Sequence, residues 1–187
     1  MTIYFGDDST IATAPTAGDS ANDNNVQTYV LANDAAISTT YSNVMGWGAI
    51  AKAATYNVVV FSQINFKHYV KHDGDDSGAT GSVDVHFKLM RRLGSSGSAS
   101  NLSEVVLDNL ITDEIVPGSV GNNPFADYID SHAGISCPDV GFTSTAGTLQ
   151  YAIYGKIVNR SGNGGSYNNM SNRGVIKKGS SIIMLEY

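Results

Sequence analysis

The chain has 187 residues, a length typical of one domain, and 42% of them are hydrophobic, which is enough for a packed core without a metal or a disulfide. Only 15% are charged and the net charge is −6, which argues against binding nucleic acid through phosphate contacts. The single cysteine, Cys137, excludes an intrachain disulfide scaffold, and no apolar run is long enough to insert into a membrane as a helix.

Residues 1–25 are predicted to form an extended N-terminal arm, and residues 26–187 a β-sandwich head domain. Apart from an apolar patch at Ile3–Phe5, the arm is small and polar, so it cannot bury enough apolar surface to order itself. We expect the arm to become ordered by binding another protein. The first residues also lack the apolar core of a secretory signal peptide, so synthesis in a cytoplasm is expected.

The first part of the head domain contains one ambiguous segment and one clear strand. Val26–Leu31 is compatible with a strand, whereas Trp47–Ala54 is compatible with a short helix that Gly46 and Gly48 would weaken. Between Asn57 and Phe66, one side of an extended strand would carry Val58, Val60, Ile64 and Phe66, with Ser62 between them. Gln63 and Asn65 would lie on the other side. That period of two predicts a strand with one buried face.

A loop rich in glycine and aspartate is predicted over residues 71–82. Asp73, Asp75 and Ser77 occupy alternate positions, as in the first half of a calcium-binding loop, and Asp84 stands at the twelfth position. Asp84, however, lies within a predicted strand and is not the usual glutamate, and no flanking helices are evident. We favour a solvated acidic loop and predict no metal ligand, with calcium at these residues as the weaker interpretation.

The strongest alternation of the chain runs from Val83 to Leu89 and predicts a half-buried strand. A flexible turn follows at Gly94–Ser100. Leu102–Val116 fits either a helical stripe or strands, and the surrounding β character favours strands. Pro117 and Gly118 end this segment with a turn signal.

The next predicted strands are short, except for one. Phe125–Ile129 and Phe142–Thr143 are expected to be brief strands, and Leu149–Ile157 a longer one with alternating apolar residues. Gly155 falls on the inward side of that strand, which predicts either a bulge or a close approach of backbone.

Residues 162–174 are rich in glycine, asparagine and serine and are predicted to be a loop, and Ser180–Tyr187 a terminal strand. The whole chain therefore contains eight or nine predicted strands without alternating helices. Strands at this spacing are typical of a sandwich or a barrel. We predict an all-β, jelly-roll β-sandwich.

Sequence signatures of catalysis are missing. There is no zinc-binding H-E-x-x-H, no G-x-S-x-G nucleophile elbow and no glycine-rich phosphate loop. Pairs of carboxylates such as Asp127 with Asp130 are common on any acidic surface and do not by themselves indicate a glycosidase. We therefore predict that the protein is not an enzyme, with no catalytic residue and no cofactor.

The second half of the chain resembles the C-terminal head domain of virion appendage proteins from marine and cyanobacterial tailed phages. The resemblance rests on the order and spacing of these stretches: Asn57–Phe66 (NVVVFSQINF), Val85–Leu93 (VHFKLMRRL), Phe125–Ser131 (FADYIDS) with Leu149–Arg160 (LQYAIYGKIVNR), and Gly179–Glu186 (GSSIIMLE). Ile3–Ala14 (IYFGDDSTIATA) is similar to a segment common in phage fibre proteins. The stretches of the head domain lie within residues 57–187, about two thirds of the chain.

The resemblance implies a homotrimer with a jelly-roll sandwich like that of tumour necrosis factor, on the outer surface of a phage particle. Its role would be assembly and contact, either as a capsid decoration protein or as the head of a tail fibre or appendage. The arm would bind other virion proteins. The loops at residues 71–82 and 162–174 would be free to contact a host-surface glycan.

One alternative from a different functional class stays open. A β-sandwich of this size is also compatible with a carbohydrate-binding module, such as one used for host attachment, which need not be trimeric. A glycan-degrading enzyme is the third possibility.

Overall fold

The computed structural model describes residues 25–52, 56–72, 82–111, 125–126, 129–142, 147–160 and 171–187. Within these ranges the chain forms strands and no helix, which confirms the predicted all-β class. The strands are β1 (Val26–Val30), β2 (Ala35–Ile37), β3 (Ser42–Lys52), β4 (Val58–His72), β5 (Ser82–Leu93), β6 (Ser100–Ile111), β7 (Phe125–Ala126), β8 (Ile129–Asp139), β9 (Gly147–Arg160), β10 (Ser171–Ile176) and β11 (Ser181–Glu186). The described ranges contain no helix of the kind that could cross a membrane.

The strands form two antiparallel sheets. In sheet one, the long strand β4 pairs with β7 and β8 on one side and with β10 and β11 on the other. β1 then pairs with β11, and β2 pairs with β10. Sheet two has the order β3-β9-β5-β6.

The connectivity is that of a jelly roll. Three pairs of strands each follow one interrupted line: β1 with β2, β7 with β8, and β10 with β11. The strands therefore form eight lines, which are numbered in chain order. Sheet one contains the first, eighth, third and sixth lines, and sheet two contains the second, seventh, fourth and fifth. This arrangement of two interlocked Greek keys defines the jelly-roll sandwich and confirms the predicted fold.

The core lies between the sheets and follows from the alternation in the three longest predicted strands. Inward side chains of β4, β5 and β9 are essentially inaccessible to solvent. These include Val58, Val60, Ile64 and Phe66 on β4; Val83, Val85, Phe87 and Leu89 on β5; and Leu149, Tyr151, Ile153 and Ile157 on β9. Facing side chains of two sheets about 10 Å apart interdigitate to form such a core.

The prediction for Gly155 is confirmed in its second form, a close approach. A Cβ atom at this position would lie 3.2 Å from Val44 Cγ2 and 3.3 Å from ring atoms of Phe87. The missing side chain therefore lets the side chains of Val44 and Phe87, from the two strands that flank β9 in sheet two, pack against its backbone.

The helical interpretation of Trp47–Ala54 is wrong for its described part, because β3 continues to Lys52. β3 departs from regular pairing with β9 between Asn43 and Gly48. Added Cβ atoms at Gly46 and Gly48 would both lie 2.7 Å from atoms of Tyr29. The glycines thus make room for Tyr29 to pack across β3, and tertiary packing decides a segment whose local preference was ambiguous.

The structure confirms part of one further strand prediction and corrects a second strand and a loop. The strand interpretation of Leu102–Val116 is confirmed as far as Ile111. Phe142 lies in a turn and not in a strand, and its ring packs 4.8 Å from the Arg91 guanidinium. The predicted loop at 162–174 is wrong over its last four residues, since β10 begins at Ser171 and pairs with both β2 and β4.

Several predictions fall outside the described residues. They concern the arm, of which residues 1–24 are not described, and the loop segments 73–81 and 161–170. The calcium candidates Asp73, Asp75 and Ser77 lie in the first of these loops.

Candidate interaction surfaces

The outward side of sheet one carries a surface without charges, which we call the uncharged face. It consists of three rows that run across β1, β11, β4 and β8. The rows are Val26, Leu185, Val59 and Pro138; Thr28, Ile183, Phe61 and Ser136; and Val30, Ser181, Gln63 and Gly134. Most of the large apolar side chains that the described residues expose lie here or at its edge: Val26, Val30, Phe61, Ile183 and Tyr187.

The uncharged face is extended, and seven of its twelve residues are apolar. Four strands about 4.8 Å apart and six residues about 3.3 Å apart cover roughly 400 Å². Contiguous apolar patches of a few hundred Å² on soluble proteins are commonly sites of protein interaction. Its geometry suits association with another flat protein surface.

The outward side of sheet two is chemically different, and we call it the aromatic–basic face. It comprises Tyr41, Trp47, His86, Lys88, Arg92, Glu104, Gln150, Tyr154 and Lys156. Strand register explains this grouping, because Lys88 lies opposite both Tyr154 and Glu104, and His86 lies opposite Lys156. Residues distant in sequence thereby share one surface.

One half of the aromatic–basic face is organised around Trp47. The Arg92 guanidinium lies 4.1 Å from the Trp47 ring centroid, and the Tyr154 ring meets the indole edge-on at 6.2 Å. Arg92 Nε also donates a hydrogen bond of 2.7 Å to Gln150 Oε1. A cation–π contact and a hydrogen bond together fix the plane of the guanidinium.

The other half is organised around Tyr41, whose hydroxyl donates a hydrogen bond to Glu104. Lys88 Nζ lies 4.0 Å and Lys156 Nζ 4.7 Å from the Tyr41 ring centroid. Glu104 is also 3.7 Å from Lys88 Nζ and 3.5 Å from His86 Nδ1. Glu104 therefore neutralises part of the positive charge in this half.

Electrostatics within this cluster follow from those contacts. The Tyr41 hydrogen bond, helped by Lys88, holds the pKa of Glu104 below its ordinary value. Partial burial and the Glu104 charge raise the pKa of Tyr41. Glu104 is thus an ionised acceptor and Tyr41 a neutral donor at physiological pH.

A third cluster joins the two sheets and is structural. The Asp139 carboxylate, at the end of β8, is fully inaccessible to solvent. It pairs with Arg91 of β5 in sheet two, accepts a hydrogen bond of 2.9 Å from Tyr151 Oη of β9, and accepts another of 3.1 Å from Gly141 N. A buried carboxylate with this many donors is satisfied, so the contacts fix one end of the sandwich.

Tyr151 should make folding sensitive to alkaline pH. Burial, and then the nearby Asp139 charge, raise the pKa of its hydroxyl, whereas an unfolded chain ionises tyrosine near pH 10. The contribution of Tyr151 to the free energy of unfolding is therefore complete below about pH 10. It is lost as pH rises above that value toward the folded pKa, by up to about 1.4 kcal/mol per pH unit.

We therefore expect the melting temperature to fall above pH 10, and to fall less steeply in Tyr151→Phe. Thermal unfolding followed by circular dichroism between about pH 9 and pH 11 measures the slopes. Tyr187→Phe, at an exposed position, serves as the control and should keep the original slope. Equal slopes in both variants would contradict the role given to Tyr151.

Asp84, His68 and Cys137 belong to neither the uncharged face nor the aromatic–basic face. Asp84 is buried on β5 and accepts a hydrogen bond of 2.8 Å from Asn109 N, a residue with φ of 53°, so its described contact is to backbone. His68 is buried beside Phe66. Cys137 is half-buried, and burial raises the pKa of its thiol. Among the described residues no His, Cys, Asp or Glu cluster could hold a metal ion.

Lys88, Arg91 and Arg92 lie close together in sequence, but the structure divides them between two sides of β5. Neighbouring residues of a strand point to opposite sides, so Arg91 reaches Asp139 while Lys88 and Arg92 lie on the aromatic–basic face. Strand alternation could have predicted that division. Their partners Tyr41, Trp47 and Asp139 carried no local signal.

No protein-family model matches the chain, and no curated protein has a similar sequence. Among solved structures, the chain is similar to the Eiger TNF of S. frugiperda, with 11% identity, a TM-score of 0.33 and coverage of 88% of this chain and 92% of that one. Two structures of infectious bursal disease virus also match. For the Gx strain the identity is 13% and the TM-score 0.34, with 88% of this chain and 32% of that one covered. For the VP2 subviral particle the identity is 12% and the TM-score 0.33, with 88% of this chain and 33% of that one covered.

Proposed function

We propose that this protein is a non-enzymatic structural component on the outer surface of a tailed-phage particle, either a capsid decoration protein or the head of a tail fibre or appendage. In this proposal it forms a homotrimer. The copies associate through the uncharged face of sheet one, and the N-terminal arm attaches the trimer to other virion proteins.

The uncharged face is the observation that carries the assembly part of the proposal. A trimer closes through heterologous contacts, in which the uncharged face of one copy packs against a different surface of the next copy. The uncharged face can be buried in such a contact without desolvating a charge of its own. A patch of roughly 400 Å² is about half of the area that each partner buries in a standard interface, near 800 Å². It would supply the apolar centre of the contact, with the adjoining polar residues at its rim.

The resemblance to phage head domains supports the virion part of the proposal. Its stretches Asn57–Phe66, Val85–Leu93 and Gly179–Glu186 correspond to strands β4, β5 and β11. The uncharged face uses outward residues of the first and last of these strands. The proposed assembly surface and the stretches that carry the resemblance thus share strands β4 and β11.

The native mass of the purified protein tests the assembly. Light scattering should give about three times the chain mass of 19.7 kDa at micromolar concentration. A monomer over the whole accessible concentration range would contradict self-association through this face.

Deletion of residues 1–24 tests the attachment. Because the predicted arm contributes little apolar surface, the truncated protein should keep its thermal stability and native mass. We expect it to disappear from purified particles, as measured by mass spectrometry of virions assembled with the truncated gene. Incorporation at the normal copy number would contradict a docking role for the arm.

A further inference from the structure

We infer that the aromatic–basic face of sheet two binds an acidic polysaccharide, a glycan that carries carboxylate or sulfate groups. This inference goes beyond the proposed function and does not depend on it, since the uncharged face lies on the opposite sheet.

Arg92 supplies the first point of recognition. Its side chain is half-buried, and Trp47 and Gln150 hold its guanidinium in one plane. The hydrogen bond to Gln150 uses Nε, which leaves the two terminal nitrogens as donors. No carboxylate pairs with Arg92 among the described residues. A fixed guanidinium fork of this kind matches the two oxygens of a carboxylate or sulfate.

Lys156 supplies a second point. Its ammonium group lies over the Tyr41 ring, and within the described part of the chain no carboxylate is paired with it. Lys156 lies opposite His86, and Arg92 is six residues further along β5. Six residues of strand span about 20 Å, so the two cations suit an extended polymer better than a single small ion.

The surface between the two cations is mainly aromatic, with Lys88 among its residues. Trp47 and Tyr154 are half-buried, so part of each ring stays accessible, and the half-buried Met90 lies between Lys88 and Arg92 along β5. Rings on a flat sheet offer contact area to the apolar side of a pyranose. The amide of Gln150 and the phenol of Tyr154 provide hydrogen bonds to sugar hydroxyls.

The balance of charge favours a glycan over nucleic acid. The defined face has three lysine or arginine residues and one glutamate, on a chain of net charge −6. Duplex DNA carries one charge per about 1.7 Å and is bound by neutralising many phosphates at once. Sparse anionic groups separated by uncharged sugar rings fit two unpaired cations separated by aromatic surface.

The full-length protein can be tested by biolayer interferometry against immobilised alginate, which carries carboxylates, and dextran sulfate. Neutral dextran, polyglutamate and duplex DNA are the comparison ligands, all at about 50 mM and 200 mM salt. We expect at least one acidic polysaccharide to bind at least tenfold more tightly than each comparison ligand. Which polysaccharide it is distinguishes carboxylate from sulfate recognition.

Substitutions then locate the site. Arg92→Gln combined with Lys156→Gln should weaken binding at least tenfold, and Lys156→Gln alone, which leaves the Trp47 cluster intact, at least threefold. Lys178→Gln is the charge-matched control, since Lys178 is exposed on the turn between β10 and β11 in sheet one, and should change affinity less than twofold. Melting temperatures confirm folding.

Three results would overturn the inference. They are absence of binding to both acidic polysaccharides, binding of neutral dextran, polyglutamate or duplex DNA to within tenfold of the tighter acidic polysaccharide, and unchanged affinity in the folded double variant.

Discussion

Replacing Asp139 with alanine is expected to lower the free energy of unfolding by about 3–5 kcal/mol, the usual cost of removing one partner of a buried ion pair. The carboxylate accepts hydrogen bonds from Tyr151 Oη and Gly141 N and pairs with Arg91. Its removal leaves the buried phenol donor unsatisfied and a partly buried cation uncompensated. Asp139→Asn keeps the shape without the charge and should cost less.

The matched control lies on the same strand. Asp130 pairs with Lys67 at 3.7 Å, and its side chain is 67% exposed, so Asp130→Ala should change stability by less than about 1 kcal/mol. Urea unfolding at one fixed protein concentration measures both variants, because any self-association adds to stability. Similar losses for the two substitutions would show that the Asp139 contacts do not hold the sheets together.

The second large effect is expected on assembly. Phe61→Lys combined with Ile183→Lys places two charges opposite each other in the middle row of the uncharged face. Burying unpaired charges against a second copy is strongly unfavourable. We expect the native mass to fall from that of a trimer to that of a single chain.

Val106→Lys provides the control, because Val106 is a similarly exposed apolar residue, 41% against 43% for Phe61, but lies on sheet two. Its native mass should remain unchanged. Light scattering with size-exclusion chromatography measures all three proteins, and circular dichroism confirms the β-fold. A trimer that survives the double substitution would place the subunit contacts elsewhere.

Strand periodicity predicted the centre of the sandwich well. β4, β5 and β9 each alternate between buried and outward residues, and a period of two is visible in sequence wherever one face is apolar. The eleven-residue strand β8 was instead predicted only at its start. Its outward positions include Gly134 and Pro138, residue types that are depleted in strands. Pairing with β4 along its whole length overrides that local preference.

The candidate surfaces could be predicted less fully, for a geometric reason. The uncharged face combines outward residues from four strands, and each strand contributes only a few apolar side chains between polar ones. Trp47 meets Arg92, and Tyr41 meets Glu104, only because β3, β9, β5 and β6 lie side by side. The register between distant strands is not encoded in any local pattern. The sequence therefore shows the basic residues but not the aromatic and acidic side chains that they contact.

Trp47 is the single tryptophan of the chain, and it lies beneath the Arg92 guanidinium on sheet two. Its fluorescence therefore reports on the surroundings of one surface only. Association through sheet one, on the far side of a sandwich whose layers are about 10 Å apart, should leave the emission spectrum unchanged. Any event that displaces Arg92 should alter it, so the two outer surfaces can be observed separately in the unlabelled protein.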